Sequence, residues 1–464
     1  MRLPPRYHEA IDLDALCQEF PPAPEFFDTV WRLSADELRA RQDAAFRRQI
    51  ARAWQVPFYR RRWSAAGLEP GDITSLDHLP RIPTFSVHDM RESLAREPLW
   101  PDYMGVDPDT DDPIPLVFQT SGGTTGLPRP MMFAPRDREV MNIASGRRLW
   151  MQGVRPFDRV QVMLSLGLPN GGLLMREGIQ KYTGAVPIMT GAGSQTPTRR
   201  QIELMRAWCT THLIGFPAYL RHVALVARDE MGLDPREFGV RGLISHLGVE
   251  DRGALEALWG APAYDTYGMN EFGSVACDCE QRSGMHVFED CFAVEVLRTE
   301  EGGTCRAAAP GEQGGVIVTT LFRHIAPMIR FDTNDISAFM PGRCACGSTH
   351  RRLDGIRGRA DGMVKLRGVN VFPEAVGALV AADPRASGEF LCVVEPGERM
   401  TVRAETRDAG VDDAAFAADL RRRFKEALSV TLEVEAVPRG SLAPLTGLDS
   451  TSKIRRLLDL RKPS

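Results

Sequence analysis

A chain of 464 residues with ordinary apolar and charged fractions is too long for one hydrophobic core, and its length suggests about two to four domains. A net charge of −4 leaves no electrostatic footprint for nucleic acid, and Arg60-Arg61-Arg62 and Arg421-Arg422-Arg423 read as solvated helix faces. No run approaches the roughly 20 apolar residues of a membrane span, Met1-Arg2-Leu3-Pro4-Pro5 lacks the apolar core of a signal peptide, and nine cysteines without a secretion signal point to a reducing cytoplasm.

Along the chain, Ser34-Ala35-Asp36-Glu37 forms a capping box, and Leu38, Ala45, Phe46, Ile50 and Ala53 follow at helical spacing. Gln119-Thr120-Ser121-Gly122-Gly123-Thr124-Thr125-Gly126-Leu127-Pro128-Arg129 then interrupts an apolar run with glycines and hydroxyls. Between roughly 110 and 260 strands and helices alternate. Val160, Val162 and Leu164 alternate as in a strand, and Ile202, Met205 and Trp208 suit one helix face. Strand signals dominate from about 285 to 345, in Phe292-Ala293-Val294-Glu295-Val296 and Gly315-Val316-Ile317-Val318-Thr319. A boundary falls near Arg359-Ala360-Asp361-Gly362. Beyond it, strands are expected at 390–395, 400–405 and 431–437 around a helix whose Phe416, Leu420, Phe424 and Leu428 make one buried stripe. The expected fold class is α/β: a large N-terminal domain, 1–359, followed by a small α+β domain, 360–464.

The Gly-rich stretch carries the most chemistry. Gly123 and Gly126 let the backbone turn close to a polyanion so that its N–H groups point inward. Thr120, Ser121, Thr124 and Thr125 add hydroxyls, and Arg129 adds positive charge. It is not a Walker-A loop, since no Lys follows Gly126. In order and spacing it resembles the Ser-Gly-Thr-Thr-Gly-x-Pro signature of adenylate-forming enzymes, which turn carboxylic acids into acyl-adenylates with ATP. Tyr267-Gly268-Met269-Asn270-Glu271, Arg330-Phe331-Asp332-Thr333-Asn334-Asp335 and Gly358-Arg359-Ala360-Asp361 are similar to further motifs of that family, in the same order. Val56-Pro57-Phe58-Tyr59-Arg60, the segment from Gly284 to Asp290 and the segment from Arg367 to Pro373 resemble its phenylacetate–CoA ligase branch.

The resemblance implies a mobile C-terminal lid and a set of roles. Glu271 contacts Mg²⁺, a hard cation that takes oxygen ligands. Tyr267 and Gly268 lie at adenine with the backbone of Gly248, Val249 and Glu250. Asn270 stands where Thr or Ser usually reaches the α-phosphate, Asp335 accepts the ribose hydroxyls, and Arg359 adds a guanidinium near ribose or phosphate. Asp361 is the hinge, Gly368 lines the CoA channel after lid rotation, and Lys453 is the lysine of adenylation. Ser452 replaces the usual Gly before it, and Gly122 replaces a Ser.

Cys279-x₆-His286 and Cys344-x-Cys346 offer thiolates and an imidazole, ligands suited to tetrahedral Zn²⁺. Some relatives carry Cys…Gly-x-His and Cys-x-Cys-Gly around a structural zinc, which Cys279, Gly284, His286, Cys344, Cys346 and Gly347 match. Cys277 competes for the place of Cys279, and ordinary buried cysteines are the alternative. By resemblance the acyl pocket takes Gly167, Asn170 and Gly171 from Gly167-Leu168-Pro169-Asn170-Gly171-Gly172, and Phe216 and Tyr219 from the next wall. Aromatic walls of the branch are exchanged there for aliphatic and polar ones, so a substituted aryl, heteroaryl or polycyclic acid of specialised metabolism is expected as much as phenylacetate. The implied reaction joins an acid to CoA through an acyl-adenylate. A carrier-protein thiol or an amine as acceptor, a homodimer, and a degenerate nucleotide-binding regulator all stay open.

Overall fold

The capping box forms as expected. Ser34 and Glu37 cap the helix Ala35–Ala53 reciprocally, and Leu38, Ala45, Phe46, Ile50 and Ala53 are buried along it. The computed structural model describes residues 5–121, 128–300, 304–360, 362–366, 369–397, 399–428, 430–448 and 454–461. The expected Gly122, Gly123, Thr124, Thr125, Gly126, Asp361, Gly368, Ser452 and Lys453 lie outside the described residues.

The chain divides into two units: Met1–Val160 with Leu166–Pro187 and Tyr264–Asp354, and Gln161–Ser165 with Ile188–Ala263 and Gly355–Ser464. In the first unit the strands Cys305–Ala307, Phe292–Thr299, Gly314–Thr320 and Phe331–Ser337 lie side by side in that order, all antiparallel. Ala263–Met269, Gly273–Asp278 and Met285–Val287 form a second antiparallel run that Arg352–Leu353 extends. The helices Pro135–Met151 and Asn170–Tyr182 pack on each other: a Cβ on Gly178 would stand 2.7 Å from Ser145 Cβ, and one on Gly146 would stand 2.5 Å from Tyr182 Cβ.

In the second unit, His212–Ile214 runs parallel to Gly242–Ser245, the α/β pattern expected from the alternation. A separate four-stranded sheet there has the order Glu433–Val437, Arg399–Thr406, Ala386–Glu395, Leu457–Asp459. The helix Asp413–Leu428 buries Phe416, Leu420 and Phe424 in the same core as Val402 and Val434, as its stripe predicts. The strand Leu457–Asp459 and the hairpin of Val364–Leu366 with Val369–Val371 went unpredicted, being too short for a periodicity.

Three details depart from the sequence reading. The strand Arg159–Val162 ends before Leu164, and Gln161 between its valines is also buried, because both faces are covered; the Gln161 amide bonds Thr210 Oγ1 at 3.1 Å. Trp208 is 50% exposed, because the helix Thr198–Ala207 ends just before it and the helical spacing lapses. The arginine clusters are not merely solvated: Arg62 pairs with Asp89 at 2.6 Å and Arg421 with Glu433 at 2.9 Å. Among the described residues, no helix is long and apolar enough to cross a membrane.

Candidate functional site

In the first unit, strands Val117–Thr120 and Pro130–Phe133 pair antiparallel, and Ser121 N–H donates to Arg129 O at 3.0 Å. The two ends of the Gly-rich segment are thereby held side by side, with Thr120 and Ser121 buried at its base. Arg129 turns back to Glu271, placing Nη2 2.6 Å from the carboxylate, with side chains 8% and 2% exposed. This joins two motifs 142 residues apart. Arg323, fully buried and absent from the sequence reading, donates Nη1 to the Glu271 backbone carbonyl and Nη2 to Met132 O at 2.9 Å. Its burial lowers the guanidinium pKa, and Asp137 leads the charges that oppose the shift.

The strand carrying Tyr267 bulges at Gly268, where any Cβ would lie 2.3 Å from Gly273 O, so only glycine fits the turn that presents Asn270 and Glu271. Tyr267 OH donates to Asp335 Oδ2 at 2.9 Å, which brings the expected adenine and ribose residues together. Asp335 is aimed by its own strand: Asn334 takes a left-handed φ of 60°, and Asp335 N–H donates to Thr333 Oγ1 at 3.1 Å. Arg330 at the head of that motif is structural, gripping Glu295 at 3.0 and 2.9 Å.

Of the expected acyl wall in this unit, Gly167 is exposed and left-handed with φ 133°, and Gly171 is half-buried. Asn170 is fully buried and bonded to the fold at both ends of its amide. In the second unit, half-buried Phe216 stacks on His246 at 6.1 Å. Tyr219 lies in the core, its hydroxyl bonded to Gln201 at 3.0 Å and near Thr198 at 3.2 Å. Helical spacing from Phe216 placed Tyr219 on the inner face of Pro217–Leu225, where the core claims it. Gly248, with φ 58°, Val249 and Glu250 are half-buried in a turn after the strand Gly242–Ser245, and Glu250 is paired with Arg221. Burial lowers the Arg221 pKa to about 10. Arg359 is half-buried in the short strand Gly358–Arg359.

The cysteine and histidine ligands do converge. The donor atoms of Cys279, His286, Cys344 and Cys346 all lie within 4.8 Å of one another. Cys279 Sγ is 3.7 Å from Cys344 Sγ, and Cys346 Sγ is 3.4 Å from His286 Nε2. Zn–S bonds of about 2.3 Å at tetrahedral angles give S···S edges of about 3.7 Å, so the donor set fits that metal. His286 Nδ1 is 3.2 Å from the carbonyl of His350, a contact that places the ring proton there and leaves Nε2 facing the sulfurs. Gly284 is left-handed with φ 95°, a conformation that favours the glycine of Gly-x-His, and a Cβ there would also press on Met340 Sδ at 2.1 Å. Cys346 and Cys279 share a hydrogen bond that lowers the Cys346 pKa and raises that of Cys279. Cys277, the rival ligand, lies outside: its thiol rests 3.7 Å from Met151 Sδ, and burial raises its pKa. No spacing in the sequence ties His350 to this cluster; Trp31 stacks on it at 5.1 Å and also lies 4.8 Å from the His286 ring.

The buried hydroxyls of Thr120 and Ser121 at the base of the Gly-rich segment, the Arg129–Glu271 pair and the Tyr267–Asp335 pair fit the class of adenylate-forming ligases. Comparison with known proteins narrows this. Residues 368–461 match the model of the AMP-binding enzyme C-terminal domain. The chain is 30% identical over 460 residues to a phenylacetate–coenzyme A ligase of Thermus thermophilus, covering 93% of this chain and 98% of that one. It is 28% identical to the phenylacetate–coenzyme A ligase of Aromatoleum evansii, over 95% of this chain and 98% of that one. Among solved structures, 2-hydroxyisobutyryl-CoA ligase in its postadenylation state with 2-HIB-AMP aligns with TM-score 0.84 and 28% identity, covering 95% of this chain and 94% of that one. The same enzyme with 2-HIB-AMP and CoA in its thioesterification state aligns with TM-score 0.67, covering 95% and 93%. The chain belongs to the phenylacetate–CoA ligase family of adenylate-forming enzymes.

Proposed function

We propose that this protein activates a carboxylic acid with ATP, forming an acyl-adenylate and pyrophosphate, and then passes the acyl group to the thiol of CoA with release of AMP. The observation that carries the reading is the pairing of separate motifs within one unit: Arg129 with Glu271 and Tyr267 with Asp335. Adenylation joins two anions, so the protein must neutralise charge and hold an in-line geometry. Arg129 supplies one cationic group, and Thr120 and Ser121 at the base of the Gly-rich segment supply hydroxyls. Asp335, oriented by Tyr267, takes the ribose hydroxyls.

Glu271 is an oxygen donor of the kind Mg²⁺ takes, and its partner in this structure is itself a cation, so metal and guanidinium would compete for one carboxylate. Bound Mg²⁺ would supply charge neutralisation between the phosphates. Glu271 would hold the metal, and Arg129 beside it would face the phosphate oxygens.

Lys453, Gly368 and Asp361 take the roles of adenylating lysine, CoA-channel wall and hinge, with the mobile segment beginning near residue 360. The postadenylation and thioesterification forms of 2-hydroxyisobutyryl-CoA ligase support a two-stage use of such a segment here. Zinc in the four-ligand cluster ties the hairpin around Cys279 and His286 to the loop carrying Cys344 and Cys346 and plays no part in the chemistry. The acid is an aryl or heteroaryl carboxylate, with half-buried Phe216 as an aromatic wall. Pyrophosphate release over a panel of acids, with and without CoA, tests the whole reading. Acid-dependent release with thioester formed only in the presence of CoA is expected. Release without thioester refutes CoA as acceptor, and no acid-dependent release refutes adenylation.

A further inference from the structure

Glu271 sits between two peptide groups that are each held by a buried side chain. The carbonyl after its Cα accepts from Arg323. The carbonyl before it, that of Asn270, accepts from Asn170 Nδ2 at 3.2 Å. Because peptide groups are planar, fixing both carbonyls fixes the direction in which the Glu271 side chain leaves the backbone. Asn170 is in turn held from behind. Its Oδ1 accepts from Arg138 Nη1, and Arg138 is clamped by Glu177 at 2.9 and 2.8 Å. Burial pushes the Glu177 carboxyl up, but Arg138 and Asn142 outweigh it and hold the pKa below its ordinary value. At the other end, the Asn270 amide reaches Thr120 O at 3.5 Å, at the base of the Gly-rich segment. The chain Glu177–Arg138–Asn170–Asn270–Thr120 therefore runs without a break from two packed helices into two nucleotide motifs.

Asn170 occupies the segment that resembles an acyl-pocket wall, yet its side chain is fully buried and engaged inside the fold at both ends. We infer that Asn170 is a positioning residue for the nucleotide side of the site, acting through Asn270 and Glu271, and does not select the acid. This rests on the adenylate-forming reading.

The test compares wild type with Asn170→Asp. Aspartate keeps an acceptor for Arg138 but has no N–H for the Asn270 carbonyl. Calorimetric binding of Mg-ATP without any acid is measured first, then relative rates over an acid panel. A buried hydrogen bond is worth about 1 kcal/mol net, so binding of Mg-ATP should weaken about fivefold, with the order of acid preference unchanged. If thermal unfolding shows Asn170→Asp to be misfolded, Asn170→Ala carries the same comparison. A folded variant that binds Mg-ATP within twofold of wild type overturns the inference. A changed acid preference with unaltered Mg-ATP affinity also overturns it, returning Asn170 to the acyl wall. Failure of wild type itself to bind Mg-ATP would overturn the underlying reading instead.

Discussion

Replacing Cys344 by serine removes one of four converging ligands, and the structure indicates how much that costs. Cys344 is buried, and its sulfur lies 3.7 Å from Cys279, 65 residues earlier in the chain. A metal joining them acts on the unfolded chain as a cross-link closing a loop of that length. The chain-entropy relation for such a loop gives about 4 kcal/mol at 25 °C. Native-state strain and any metal affinity of the unfolded chain reduce that figure, so about 3 kcal/mol is the expected loss. For a unit of this size, each kcal/mol shifts the melting temperature by roughly 2–4 °C, so a fall of about 10 °C is expected. Elemental analysis should find one zinc per wild-type chain and none in Cys344→Ser, with the melting drop seen by calorimetry. Cys277→Ser is the control: its thiol lies against Met151, so zinc content should hold. Wild-type protein purified without chelator and free of zinc would refute the reasoning, as would Cys344→Ser melting with wild type.

Lys453→Ala should abolish adenylation while sparing thioester formation from a supplied acyl-adenylate, since loss of one preorganised charged contact costs on the order of 10²–10³ in rate. Equal loss in both half-reactions, measured separately, would remove Lys453 from that role. Asp361→Pro fixes φ at the proposed hinge and should leave one half-reaction working while the other collapses; wild-type rates in both would refute rotation there. Arg129→Met leaves Glu271 buried without its cation and should cost about 3 kcal/mol of stability. Added Mg²⁺ should restore part of that loss in the variant and little in wild type. A melting temperature indifferent to Mg²⁺ in Arg129→Met would show that metal and guanidinium do not share the carboxylate.

What sequence alone determined here is what short stretches encode. Ser34 and Glu37 cap their helix because both partners lie within one turn. The stripe from Phe416 to Phe424 defines a buried face because its period is that of the helix. Thiols and an imidazole marked a candidate metal cluster across a long gap only with the family pattern beside them, since their own spacing left ordinary buried cysteines open, and their donor atoms do converge. Left-handed Gly284 and crowded Gly268 were legible as motif members, although the steric reason for each became visible only with Met340 and Gly273 opposite.

The tertiary structure decided which groups are spent on the fold and which remain for chemistry. Nothing local distinguishes Asn170, fully buried beneath Arg138, from an asparagine lining a pocket. Tyr219 likewise reads as a wall aromatic until Gln201 is found at its hydroxyl. Arg323 and His350 carry no spacing signal, because their partners are backbone carbonyls contributed by distant segments. The pairing of Arg129 with Glu271 spans 142 residues, and a charge leaves no periodic trace of the partner it will meet. Periodicity and turn chemistry act over a few residues, whereas burial and ion pairing depend on which strands become neighbours, and that is known only once the chain has folded.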